Sequence, residues 1–239
     1  MQISRRQSLQ LLAGVAAGAF LPGRALLAAG VKPGDDSVLI VVDVQNCFIP
    51  GGSLAVKEGD QIVPVINKLA KVFKHVVLTQ DWHTADHISF ASQHPGKKPF
   101  ETVKLAYGTQ VLWPDHCVQG TDSAALHKDL QISHAELVIR KGYRREVDSY
   151  SAFLEADKKT QTGLGGYLKQ RSLKRTFFAG LATDFCVGWS AIDARKQGFE
   201  ALVIEDACRG IDVQGSLAKA WSDMAKAGVK RIKSSDILA

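Results

Sequence analysis

The chain has 239 residues, 46% hydrophobic and 23% charged, a composition that excludes a disordered chain and suits one α/β domain with a real core, or two small domains. The formal net charge is +6, and three arginines with no acid fall in residues 1–30, leaving +3 for the remainder. So mild a balance, with no basic stripe, argues against a nucleic-acid binder.

The first thirty residues read as a targeting segment. Ser4-Arg5-Arg6-Gln7-Ser8-Leu9 carries paired arginines, an uncharged Leu/Ala/Gly-rich stretch follows, and small residues close it at Ala28-Ala29-Gly30. Charged, apolar and cleavage regions in that order predict a signal peptide, and the paired arginines predict the twin-arginine route to the periplasm. The apolar stretch is too short and glycine-rich to span a bilayer comfortably, so no stable membrane insertion is expected after cleavage. Residues 31–239 are left as the folded domain.

Ser37 to Val42 is a continuous apolar run, the pattern of a strand buried on both faces, and Asp43 ends it. Residues 59–74 place Ile62, Val65, Ile66, Leu69, Val72 and Phe73 at helical spacing, with Pro64 in the first turn. A second strand is predicted at 75–79. Residues 84–122 lack a clean period, and so long a connection usually carries function. A short helix is predicted at 123–130, a third strand at 136–140, an irregular segment at 142–160 and a helix near 163–171. The fourth strand covers 174–180, and a helix from 186 to 197 ends at Gly198, a C-cap glycine. A strand at 201–204, a helix at 214–227 and a last strand at 229–233 complete the series. Strands alternating with helices predict a three-layer α/β/α fold around a doubly wound, mainly parallel sheet of about six strands.

In such sheets ligands bind beyond the carboxyl ends of the strands. Asp43, the pair Asp81 and His83, Lys141 and Cys186 all fall at those ends. Cys186 also opens a helix, where free backbone N–H groups and the helix dipole favour a thiolate and can hold an oxyanion, although many free cysteines are only small core residues. Asp43 is placed to take the thiol proton, and Lys141 to hold the Asp43 charge or polarise a carbonyl. Asp81-Trp82-His83 directs a carboxylate and an imidazole to one side of an extended chain, two parts of a divalent-metal site. His87, His94 and His116 are the candidates for the third ligand. The four cysteines, Cys47, Cys117, Cys186 and Cys208, form no C-x-x-C pair, so their redox state stays open.

Several ordered motifs resemble the nicotinamidases of the isochorismatase-like cysteine hydrolases. They are Val41-Val42-Asp43-Val44-Gln45-Asn46-x-Phe48 with Gly51-Gly52-Ser53-Leu54, Gln80-Asp81-Trp82-His83, Trp113-Pro114-Asp115-His116-Cys117, Lys141-Gly142, Asp148-Ser149-Tyr150-Ser151, Gly180 to Val187, and Asp206-Ala207-Cys208-Arg209-Gly210. The resemblance runs over about residues 37–235 and implies hydrolysis of nicotinamide to nicotinate and ammonia. It casts Cys186 as nucleophile, Asp43 as base and Lys141 as third catalytic residue. Asp81, His83 and His116 become ligands of one divalent ion, zinc by preference with iron or manganese open, and His87 a weaker fourth candidate. It assigns the oxyanion hole to the N–H groups of Ala182 and Cys186, with a cis Leu181–Ala182 peptide. It assigns the ring-binding walls to Phe48, Trp113 and Tyr150. One departure is Cys47, where many relatives carry aspartate, which puts an extra thiol near the site. The alternatives are another aromatic carboxamide such as pyrazinamide, or a non-catalytic periplasmic protein that binds nicotinamide or metal; a homo-oligomer is left open.

Overall fold

The computed structural model describes residues 31–239; the expected signal peptide at 1–30 and its cleavage point lie outside the described residues. Eight strands form, six of them in one sheet: β1 (Ser37–Val42), β2 (His75–Asp81), β5 (Leu137–Lys141), β6 (Arg175–Leu181), β7 (Glu200–Arg209) and β8 (Lys230–Ile232). Their spatial order is β5-β2-β1-β6-β7-β8, and every neighbouring pair is parallel. The chain builds outward from β1 on one side, then returns to place β6 on the other. The winding therefore reverses at β1/β6, the topological switch point where such sheets open a crevice.

Both sheet faces are covered, which explains the uninterrupted apolar runs. Leu39 and Val41 pack with Ile62, Ile66 and Leu69 on the face of helix α1 (Val63–Ala70). Val38, Ile40 and Val42 pack on the opposite face with Leu164 and Leu168 of α2 (Leu164–Gln170), Ala191 and Ala194 of α3 (Gly188–Lys196) and Met224 of α4 (Ser216–Lys226). A last turn of helix, α5 (Ser235–Leu238), brings Ile237 back to the α1 face. The three-layer α/β/α fold is as the sequence predicts. Among the described residues no helix is long and apolar enough to cross a membrane.

Four local expectations change. The predicted helix at 123–130 is only a 3-10 turn, Asp122–Ala124. Its backbone bonds outward instead, Asn46 N–H donating to the Ala125 carbonyl and His127 N–H to Val44, so tertiary pairing overrides the helical spacing. The helix expected over 59–74 splits into a 3-10 turn, Gly59–Ile62, and the shorter α1. The long connection contains a hairpin, β3 (Thr102–Leu105) with β4 (Gly108–Val111), whose polar and glycine-containing strands carry no clear alternation. The helix expected from Cys186 starts earlier, as a π-turn over Thr183–Val187 that runs into α3. The Leu181–Ala182 peptide is cis, as the resemblance implies.

One glycine is required by the crevice. Gly180 pairs with Val42 at the ends of β6 and β1 and has φ +126°, and a β-carbon there would lie 2.0 Å from the Val42 carbonyl oxygen. Only glycine lets the two strand ends, and hence the segments after them, approach so closely.

Candidate active site

The switch point brings Asp43, Lys141 and Cys186 together from β1, β5 and the turn after β6. Asp43 takes a left-handed conformation, φ +48°, that swings it off the end of β1. Its N–H donates to Thr79 Oγ1 at 3.2 Å, and the same hydroxyl donates to Asp43 Oδ1 at 2.5 Å. Lys141 Nζ, fully buried, lies 2.8 Å from Asp43 Oδ2, donates to Asp81 Oδ1 and to the Ser149 carbonyl at 3.0 Å, and reaches Cys186 Sγ at 3.3 Å. The contact to Oδ2 is an ion pair, and this buried oxygen has no further polar partner among the described residues. One oxygen of each of Asp43 and Asp81 and the Cys186 sulfur all lie within 4.8 Å of one another.

Burial governs the protonation states. It pushes the Cys186 thiol well above the ordinary range, the Lys141 charge pulling it down and the Asp43 and Asp81 carboxylates pushing it further up. The resting group is thus a thiol, where a helix N-terminus alone would favour thiolate. Burial likewise raises Asp43, against the pull of Lys141. Lys141 stays firmly cationic: burial opposes its charge, but Asp43, Asp81 and Cys186 together outweigh it. The set is a buried carboxyl group and thiol, both of whose pKa values burial raises, bridged by an ammonium.

The thiol's backbone surroundings suit a developing negative charge. The Ala182 carbonyl accepts the Phe185 and Val187 N–H groups at 3.1 Å each and skips the Cys186 N–H between them. First-turn N–H groups have no partner within a helix, which leaves them to an oxyanion.

Beside this set stand Asp81, His83 and His116, whose ligand atoms lie within 4.8 Å of one another. Asp81 Oδ2 is 3.7 Å from His83 Nε2 and 3.9 Å from His116 Nε2. His83 Nδ1 donates to the Gly142 carbonyl and His116 Nδ1 to the Pro114 carbonyl, each at 2.8 Å, which turns both Nε2 atoms toward the cluster, where, against the effect of burial, Asp81 raises the pKa of His83. Burial and the neighbouring His83 lower His116 to about 4, keeping it neutral, the form that binds metal. The two buried carboxylates exceed the one ammonium by a single negative charge, which a divalent cation offsets. The donor set therefore fits a cation such as zinc.

His87 stands apart from that group. Its Nδ1 is 2.7 Å from Ser89 Oγ, its Nε2 3.3 Å from the Val147 carbonyl, and its ring packs 4.2 Å from that of His83, in a second buried group with Asp148. His94 bonds the Ile88 carbonyl instead.

Phe48, Trp113 and Tyr150 line the pocket in front of Cys186, and Phe185, Asp148 and Ile211 line it too. Trp113 meets Phe185 edge-on at 4.8 Å and Tyr150 at 6.2 Å, while Phe48 packs on His116 at 5.6 Å. Tyr150 Oη accepts hydrogen bonds from Trp113 Nε1 and Gln110 Nε2, both at 3.0 Å, and Gln110 also donates to Asp148. Gln110 lies on the unforeseen hairpin; Phe185 and Asp148 sit inside quoted motifs, adjacent to Cys186 and two residues before Tyr150. Cys47 is not the extra thiol the sequence suggests: it is joined to Cys117 in a disulfide with a Cα–Cα distance of 5.7 Å, leaving Cys186 and Cys208 free.

Residues 37–236 match the protein-family description Isochorismatase domain. The chain belongs to the isochorismatase family. Within it, the chain is 56% identical over 213 residues to the nicotinamidase of Acinetobacter baylyi, covering 89% of this chain and all of that one. Among solved structures it resembles the Acinetobacter baumanii nicotinamidase/pyrazinamidase at 60% identity and TM-score 0.85, over 86% of this chain and 99% of that one. It also resembles the pyrazinamidase of Pyrococcus horikoshii in complex with zinc at 33% identity and TM-score 0.68, over 83% and 99% of the two chains. The family's fold thus holds the thiol, carboxylate and ammonium at its switch point.

Proposed function

We infer that this isochorismatase-family protein hydrolyses nicotinamide to nicotinate and ammonia, with Cys186 as nucleophile, Asp43 as base and Lys141 holding the charges of both. The observation that carries it is the buried cluster in which an Asp43 carboxyl oxygen lies within 4.8 Å of the Cys186 sulfur and Lys141 Nζ reaches both residues. Similarity to nicotinamidases supports the substrate. The aromatic walls Phe48, Trp113, Tyr150 and Phe185 are shaped for a flat ring.

Asp43 Oδ2 takes the Cys186 proton as Sγ bonds to the carboxamide carbon. The carbonyl oxygen takes up negative charge in front of the Ala182 and Cys186 N–H groups. Asp43 returns the proton to the nitrogen, the C–N bond breaks and ammonia leaves a thioester on Cys186. Water then gives a proton to Asp43 and its oxygen to the thioester carbon; the C–S bond breaks, nicotinate forms and the sulfur recovers its proton. Lys141 keeps the carboxylate in place throughout. Asp81, His83 and His116 would hold a divalent cation, zinc in keeping with the zinc-bound relative, and when bound it supplies Lewis acidity beside the thiol.

Ammonia release from nicotinamide by purified protein tests the activity, and Cys186→Ala should abolish it; an unchanged rate in that variant overturns the assignment. Pyrazinamide is the second reading, favoured by the relatives that act on it, and kcat/KM across a panel of aromatic amides ranks the two. We further propose export by the twin-arginine route. The paired arginines support it, as does the Cys47–Cys117 bond, a feature of oxidising compartments. Cell fractionation with an Arg5→Lys/Arg6→Lys variant tests it, and retention of the unmutated protein in the cytoplasm rejects it.

A further inference from the structure

One residue of the proposed cation site, His116, and one wall of the pocket, Phe48, adjoin opposite ends of a single covalent bond. Cys47 directly precedes Phe48, in the 3-10 turn Asn46–Phe48, and Cys117 directly follows His116. The two cysteines are 70 residues apart in sequence, and both are buried.

On the Cys47 side the chain is already fastened to Asp81. The Gln45 side chain accepts the Asp81 N–H at 2.8 Å and donates to the Asp81 carbonyl at 2.9 Å. On the Cys117 side the chain is fastened to His83: the Cys117 carbonyl accepts the His83 N–H at 3.1 Å. Cys117 itself has φ +46°, a left-handed conformation that non-glycine residues adopt at a cost. His116, one residue earlier, has no backbone link to Asp81 of its own. Its ring is placed by the Pro114 carbonyl, by the Phe48, His83 and Phe90 rings packed around it, and by the chain direction that Cys117 imposes.

We propose that the Cys47–Cys117 disulfide is a positioning device for the divalent-cation site, tying the segment anchored on Asp81 to the loop that presents His116. It rests on the reading that Asp81, His83 and His116 bind a cation. With the bond in place, the left-handed Cys117 is held and His116 Nε2 faces Asp81; without it, Cys117 relaxes toward ordinary backbone geometry and His116 turns away with Phe48. The bond thus fixes cation retention and the pocket wall together, and because both sulfurs are buried it acts as a permanent brace once formed.

The test compares zinc release from the zinc-loaded unmutated protein and from Cys47→Ala/Cys117→Ala, read with a chromogenic chelator. Circular dichroism on both confirms folding. Release at least about 10-fold faster in the variant is expected, in line with the effect of losing a ligand-orienting contact. Equal rates overturn the brace while leaving the cation site standing. A second arm uses the unmutated chain refolded and kept reduced with tris(2-carboxyethyl)phosphine, where reoxidation should restore slow release. If neither the variant nor the reduced chain folds, the bond is a general structural staple and the proposal fails. An unmutated protein that takes up no zinc removes the cation reading, and the brace with it. Alkylation after denaturation should find two free thiols in the oxidised protein; four would also overturn the proposal.

Discussion

Gly142 lies against the His83 ring so closely that a β-carbon at position 142 would sit 2.5 Å from His83 Cε1. Its φ of +63° is in the left-handed region, and its carbonyl accepts the His83 Nδ1–H. The residue after Lys141 therefore sets the orientation of an imidazole in the cation group. Gly142→Ala should displace that ring and weaken zinc binding by about 10–100-fold, the usual effect of disturbing a ligand's outer partner. Zinc titration of the metal-free variant by calorimetry measures it, and unchanged affinity would refute the relationship.

Lys141→Met removes the ammonium that pairs with the buried Asp43 and Asp81 carboxylates. Leaving Asp43 and Asp81 uncompensated should cost about 3–5 kcal/mol of stability. Loss of the charge beside Sγ should lower kcat by about 100-fold or more. Adding Asp81→Asn should restore part of the stability and none of the activity. Denaturant unfolding of the metal-free proteins, with turnover assays, separates the two effects.

Asp43 acts as a base only when unprotonated, and burial raises its pKa above the ordinary aspartate value. Activity is therefore present above that raised value and is lost as pH falls through it, at a higher pH than an exposed aspartate would give. Cys186 is also raised by burial, so it keeps a proton to hand over beyond the pH of about 8.5 where a free cysteine ionises. The kcat/KM profile should be a broad bell whose limbs belong to the coupled pair, with Asp43→Asn lowering the plateau by about 10²–10⁴-fold. A profile whose acid limb matches an unperturbed carboxylate would contradict this.

Gly180→Ala should destabilise the fold by about 2 kcal/mol or more, since it adds a strained φ to a clash with the Val42 carbonyl. Thermal unfolding would show it, and because Val42 and Gly180 set the spacing between the Asp43 and Cys186 segments, kcat should fall in the surviving folded protein.

The central strands were legible because strands buried on both faces must be largely apolar, as Val38 to Val42 and Phe177 to Ala179 are. The polar residues at the strand ends were legible because they follow such runs, Asp43 directly and Asp81, Lys141 and Cys186 after a few intervening residues. What the sequence hid depends on partners distant along the chain. Residues 123–130 space Ala124, Leu126 and Leu130 like a helix, yet their backbone groups are taken by the segment after β1. Cys47 and Cys117 have nothing local to mark them as a pair. The raised thiol follows from burial beside two carboxylates, which the helix-start position of Cys186 could not disclose.

The return of the chain to β1 divides the catalytic set along the sequence. Residues up to about 160 hold Asp43, Lys141 and the cation ligands, while the thiol and its oxyanion donors arrive only with β6, which pairs alongside β1. On the proposed mechanism neither half is expected to be competent by itself. On the proposed roles, a growing or proteolytically clipped chain carries a cysteine without its catalytic partners, and amidase competence is expected only once β6 docks. The irregular stretch just before α2, where the halves meet, is accordingly the place to divide the protein into two fragments whose reassociation would be read directly as amidase activity.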